Sequence, residues 1–138
     1  MSKYTAVIDS SVLLGYKSGH TGCQNLLYKA IDGEMEIIIS PLSVSKIWKS
    51  QDFDRKSEIG YLGLLEFMTI SPIDLETATK TGHTLRENST DPNIDLEVAN
   101  IVSICNISGH SLVTTKPELY DDLFDGVINC EEAINKVN

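Results

Sequence analysis

The sequence predicts an α/β fold, a three-layer α/β/α sandwich around a central, mainly parallel sheet. Short apolar runs of strand length alternate with stretches of helical periodicity, and neither a repeat nor a low-complexity linker interrupts the alternation. Size agrees: 138 residues, 41% of them hydrophobic and only four prolines, fit one domain over residues 1–138 that is large enough to bury a core.

The first strand is "YTAVI", Tyr4 to Ile8, and it runs straight into Asp9, Ser10 and Ser11. A carboxylate where a buried strand surfaces is either a helix cap or the first member of an acidic site, and the strand alone leaves both open. "MEIIIS", Met35 to Ser40, is the second strand, and Ser40 followed by Pro41 gives an N-cap with proline at the first helical position, starting a helix through about Lys49. Asp54 to Phe67 carries Ile59, Leu62 and Glu66 at helical spacing. Leu64, Leu65 and Phe67 broaden the apolar face, while Gly60 and Gly63 weaken the pattern. "MTIS", Met68 to Ser71, is a third strand, and "PIDLETATKTGHTLREN" a further helix.

The helix from Ile94 to Ser108 places Ile94, Leu96, Val98, Ala99, Ile101, Val102, Ile104 and Cys105 around most of its circumference, so it must be largely buried. Gly109 closes it as a C-cap. Asp95 falls in its first turn, where the helix dipole favours negative charge. "SLVTT", Ser111 to Thr115, and "GVIN", Gly126 to Asn129, complete the strands. In an open α/β sheet ligands bind beyond the carboxyl ends of the strands, where Asp9 and Asp95 could meet.

Composition excludes several classes of function. A net charge of −9 and a pI near 4.6 rule out a broad basic surface, so any nucleic-acid contact must be local, and the bulk charge favours a basic partner. Cys23, Cys105 and Cys130 are far apart and odd in number, which fits reduced thiols packed in a cytoplasmic protein. No apolar run approaches the roughly 20 residues of a membrane span and no basic leader precedes one, so the expectation is a cytoplasmic chain without a membrane partner. His20, His83 and His110 lack ligand or triad spacing and are expected as surface or loop residues. "GLLEF" and "GHTG" are not phosphate loops. Trp48 is expected in a core or a subunit interface, and Phe53, Phe67 and Phe124 in the core. A receiver-type phosphoacceptor domain needs an aspartate at the end of a central strand, and "MTISPID" offers no acid before Asp74.

"AVIDSSVLL", "ISPLSVSKIW", "IDLEVANIVSIC" and "SLVTTKPEL", in this order, resemble the successive motifs of the PIN-domain family, which includes VapC-type toxin ribonucleases and ribosomal-RNA-processing nucleases. The resemblance spans nearly the whole chain. It implies that the family's first acid is Asp9 and its neighbouring hydroxyl Ser11. The glutamate of the second motif is replaced by Lys46. The aspartate of the third matches Asp95, with Glu97 as the fallback. The threonine of the fourth matches Thr114, and the aspartate two residues later is replaced by Lys116.

Such a site gathers carboxylates around Mg or Mn, which polarise a phosphodiester and activate water for in-line attack. Here four negative positions have become two negative and two positive, so the electrostatic reason for a cation disappears. The resemblance therefore implies a cleft of Asp9, Ser11, Lys46, Asp95, Thr114 and Lys116 in which two Asp–Lys pairs replace the metal. Endoribonuclease activity is then weak or lost, no metal cofactor is needed, and the role is binding RNA or a protein, antitoxin-like or a second copy. The alternative is an active metal-dependent endoribonuclease in which Asp9 and Asp95 recruit a third acid from Glu97, Asp91, Glu118, Asp121 or Asp122. Acids in first turns and loops are usually solvated, which favours the first reading.

Overall fold

The computed structural model describes residues 3–137. Its element order is β1 (Tyr4–Ile8), α1 (Ser10–Ser18), α2 (Thr21–Ile31), β2 (Met35–Ile39), α3 (Pro41–Trp48), α4 (Arg55–Leu65), β3 (Met68–Ile70), α5 (Leu75–Glu87), α6 (Leu96–Ser108), β4 (Ser111–Val113), a 3-10 turn (Pro117–Leu119), β5 (Val127–Ile128) and α7 (Cys130–Asn135). The five strands form one sheet in the order β3-β2-β1-β4-β5, and every pairing is parallel. None of the described helices is long and apolar enough to cross a membrane.

β1 lies at the centre of the sheet, and its Ala6, Val7 and Ile8 are buried without alternation, the pattern of a strand covered on both faces. Ala6 and Ile8 pack into a core with Leu13 of α1, Leu26 and Leu27 of α2 and Ala133 of α7. Val7 points to the opposite face, against Val98, Ile101 and Cys105 of α6, Leu112 and Tyr120. Two cores on either side of one sheet are the expected three layers. In register, Ile8 lies between Ile39 and Val113, so Asp9, Ser40 and Thr114 leave the carboxyl edge side by side.

Local signals place several elements as predicted. Ser40 caps α3 by accepting from Leu42 N with Pro41 in the first turn, and Gly109 closes α6 at φ 78°, the left-handed region. α6 starts at Leu96 rather than Ile94, because the Asp95 side chain accepts from Val98 N and so caps the helix.

The expected face of α4 is corrected. Ile59, Leu62 and Phe67, read as apolar-face residues, are 60%, 51% and 47% exposed, and Phe67 does not join the core. α4 packs beside the edge strand β3 and buries a narrow Ser57–Tyr61 stripe, with Leu64 and Leu65 half-buried. Phe53 and Phe124 are half-buried against the two cores. Trp48 joins Phe53 at 4.7 Å between ring centroids, with Tyr61 completing the cluster.

Candidate functional site

Asp9 is both of the things its position allowed, a helix cap and the centre of a polar site. Its backbone is extended (φ −102°, ψ 179°) and its carboxylate caps α1. Oδ1 accepts from Ser11 N at 3.1 Å and Ser11 Oγ at 2.5 Å. Oδ2 accepts from Thr114 Oγ1 at 2.7 Å and from Tyr120 Oη at 3.0 Å. The two hydroxyls are fixed in turn: Ser11 Oγ accepts from Thr115 N and Thr114 Oγ1 from Lys116 N, each at 3.0 Å. Four donors thus fill the lone-pair directions of a carboxylate that is only 2% exposed. Burial pushes its pKa above the ordinary carboxylate value and the Glu97 charge adds to this; the hydrogen bonds from Ser11, Thr114 and Tyr120 oppose the rise. The Tyr120 hydroxyl is pushed up by burial and by the Asp9 charge, so it stays a donor.

A second cluster adjoins the first. Glu97, 5% exposed, accepts from Ser10 N at 3.0 Å through Oε2 and from Ser10 Oγ at 3.1 Å through Oε1. Lys46 Nζ lies 3.3 Å from Glu97 Oε1 and 2.9 Å from Asp95 Oδ2. The start of α3 is anchored to α6 by Ser40 Oγ, which donates to Asn100 Oδ1 at 2.5 Å, and Asn100 Nδ2 reaches Thr81 Oγ1 of α5 at 3.2 Å. That buried anchor aims Lys46, six residues on, at the first turn of α6. The hydrogen bond to Asp95, aided by the Glu97 charge, raises the Lys46 pKa against the effect of burial. Burial pushes Asp95 up, but the Lys46 hydrogen bond, Val98 N and the charges of Lys46 and Lys49 outweigh it and hold the carboxyl below its ordinary value.

Asp9, Ser11 and Thr114 therefore share one hydrogen-bonded cluster, Lys46 and Asp95 share the next, and Glu97 links them through Ser10. One expected Asp–Lys pair forms, between Lys46 and Asp95. The other, between Asp9 and Lys116, does not: Asp9 is enclosed by hydroxyls, while the exposed Lys116 contributes only its backbone N–H. An ammonium there would have to be desolvated into a space that Tyr120 already fills. Of the acids considered as third members, Glu97 reaches the cluster, whereas Asp91, Glu118, Asp121 and Asp122 are exposed. Ser10 and Tyr120 were not anticipated. The doubled serine after Asp9 was a signal for Ser10, but "KPELYDD" carries none for Tyr120.

His83 is exposed as expected but not isolated, since its Nε2 lies 2.7 Å from Glu87 Oε1 one turn on and Arg86 approaches its Nδ1. His20 caps α2, its Nδ1 accepting from Cys23 N at 3.1 Å.

Among the described residues no group of three or more His, Cys, Asp or Glu side chains is disposed to hold a metal ion. A hard divalent cation wants several free oxygen ligands. The present donor set instead offers Asp9 oxygens already bonded to four donors and an Asp95–Glu97 pair already facing an ammonium. That arrangement fits a lysine and does not fit Mg or Mn.

The chain matches no protein-family model and no curated protein. Its fold is shared with solved structures. One is a toxin–antitoxin complex from Klebsiella pneumoniae, with a TM-score of 0.69 and 16% identity over 91% of this chain and 97% of that chain. PAE2754 from Pyrobaculum aerophilum gives 0.65 and 17% over 98% and 97%. VapBC-1 from nontypeable Haemophilus influenzae gives 0.65 and 13% over 92% and 98%. At such identities the likeness shows a shared fold, a parallel α/β arrangement over nearly the whole chain.

Proposed function

We propose that this chain is a single PIN-like domain of ribonuclease fold whose inherited metal site is closed by Lys46, so that it does not cut RNA and acts by binding a protein partner. The observation that carries the reading is the Lys46 ammonium, 2.9 Å from Asp95 and 3.3 Å from Glu97, where a nuclease of this fold would need a cation. The four donors on Asp9 support it, because a ligand oxygen must give up a donor before it can bind a metal.

The toxin–antitoxin complex among the structural neighbours supports an antitoxin-like protein as the partner. A surface suited to one lies between α1 and α4, a groove of about 610 Å³ lined in part by Tyr16, Lys17, Tyr61, Leu64 and Phe67. Ile59 and Leu62 on the same helix are also exposed. RNA is the less favoured ligand because the chain carries a net charge of −9.

A second reading rests on Glu97. It is buried against Ser10 at the carboxyl edge, and Lys46 is the group that separates it from an open acidic pair with Asp95. In that reading Asp9, Asp95 and Glu97 take Mg or Mn and the chain is an endoribonuclease.

Calorimetric titration of manganese into the wild type, Asp9→Asn and Lys46→Glu, beside a chelator-controlled cleavage assay on structured RNA, separates the two. The closed-site reading expects neither heat nor cleavage from the wild type, and metal binding by Lys46→Glu that a further Asp95→Asn change removes. Wild-type binding that is lost in Asp9→Asn, with cleavage stopped by chelator, establishes the endoribonuclease instead.

A further inference from the structure

Cys23 and Cys130, 107 positions apart, meet in the core, where the Cys130 thiol donates to Cys23 Sγ across 3.6 Å. Cys23 belongs to α2, and Cys130 is the first residue of α7, the short helix that follows β5 and packs on α2. A disulfide needs its sulfurs about 2.05 Å apart. Two sulfurs already in contact have to close by about 1.5 Å, a small shift for a helix of six residues.

We propose that Cys23 and Cys130 are a redox-active pair, which hydrogen peroxide oxidises to an intramolecular disulfide that locks α7 onto the α1–α2 layer. The environment separates their roles. The hydrogen bond from Cys130 draws the Cys23 thiol below its ordinary pKa; burial and the Glu131 charge oppose this, and His20 reinforces it. Cys130 is raised by the bond it donates, by burial and by the charges of Cys23, Glu131 and Asp9, so it stays a thiol. With His20 beside it, Cys23 is the sulfur favoured to attack and Cys130 the one that resolves, and either order gives the same disulfide. Cys105 lies across the sheet, where burial pushes its thiol up to about 12, and so serves as an inert internal reference.

The chemistry balances. The Cys23 thiolate attacks one peroxide oxygen, the O–O bond breaks and the departing oxygen leaves as water, giving a sulfenic acid. As the Cys130 sulfur attacks the Cys23 sulfur its S–H bond breaks and the proton passes to the sulfenic hydroxyl; the S–S bond forms, the S–O bond breaks and a second water leaves. Two thiols lose two electrons, and one peroxide becomes two waters.

The approach is from the α7 side. The α1 backbone walls off the other, since a Cβ at Gly15 would come within 2.6 Å of Cys23 Sγ. Both thiols are buried, so the oxidant enters by local opening of the short α7. β5 leads into α7 and pairs with β4, which carries Thr114 to the Asp9 cluster, so the bond would also brace that edge of the sheet.

The test treats the whole chain with hydrogen peroxide, alkylates it in denaturant and maps its peptides by mass spectrometry. The expected result is loss of two alkylatable thiols, a cross-link between the Cys23 and Cys130 peptides, full alkylation of Cys105, reversal by dithiothreitol, and a Tm raised by roughly 5–15 °C. Three alkylatable thiols under conditions that oxidise free glutathione, a cross-link through Cys105, or bonds only between chains would overturn the proposal. Cys130→Ala should abolish the cross-link. Should that variant not fold, the wild-type map decides on its own against its Cys105 reference.

Discussion

Asp9 is a carboxyl group held inside the protein by four donors, and one of them, Tyr120, comes from a loop that sequence periodicity does not distinguish from solvent-facing turns. Tyr120→Phe removes one donor to a buried carboxylate and should cost about 1–3 kcal/mol by urea denaturation. A loss below about 0.5 kcal/mol would mean that Ser11 and Thr114 hold Asp9 unaided. Titration gives a second handle. Burial holds the folded pKa of Asp9 above its unfolded value of about 3.9, so between the two the folded state binds more protons. Its contribution is therefore most favourable at low pH and declines as pH rises through the folded value. Asn has no such dependence, so the stability advantage of the wild type over Asp9→Asn should shrink between pH 4 and pH 7.5; a constant difference would contradict the raised value. Asp9, Ser11 and Thr114 were legible because each is fixed at the end of a strand or in the turn that follows it. The direction of Lys116 was not, since it depends on how the chain turns after β4, and neither was the burial of Tyr120.

Between elements, the contact that shapes the site is α3 against α6. Lys46→Gln leaves Glu97 buried with Ser10 as its remaining donor and Asp95 with its cap to Val98. Lys46 and Asp95 are each more than a third exposed at 34% and 44%, so solvent screens their part, and the expected cost is set by Glu97 at about 1–2 kcal/mol. The depressed Asp95 carboxyl contributes stability that is present above its unfolded pKa and lost as pH falls through the lower folded value. The raised Lys46 contribution is present below its unfolded pKa and lost as pH rises through the higher folded value. The difference between wild type and Lys46→Gln should thus be greatest near neutral pH and diminish in acid, measurable by denaturation at pH 3 and pH 7. Gly109→Ala, which forces a Cβ into φ 78°, should cost about 1 kcal/mol and fray the end of α6 in hydrogen exchange. Caps such as Ser40 and Gly109 could be read from sequence because their chemistry is local. The buried stripe of α4 could not, because it depends on which strand lies at the sheet edge; the three-residue β3 covers one narrow face and leaves Ile59 and Leu62 outside.

For the molecule as a whole, alternating strands and helices were enough to give a parallel α/β class, and the unbroken apolar run of β1 is consistent with its central place. Strand order came from tertiary pairing and not from any periodicity. Charge is the global property that most constrains function. Twenty acidic residues stand against eleven basic ones, and at the carboxyl edge the Lys46 charge is already engaged by Asp95 and Glu97. Lys49 and Lys116, both exposed, are charges near that edge open to phosphate contacts. Each phosphate neutralised on a single strand contributes about −0.7 to the slope of log K against log salt, so RNA association by this edge should show a slope no steeper than about −2. Fluorescence anisotropy with a labelled structured RNA across a salt series measures it directly. A shallow slope with weak affinity fits a chain whose work is done through a protein partner. A slope steeper than about −4 would mean that the fold assembles a basic track from residues scattered in sequence, and the preference for a protein partner would then give way to RNA.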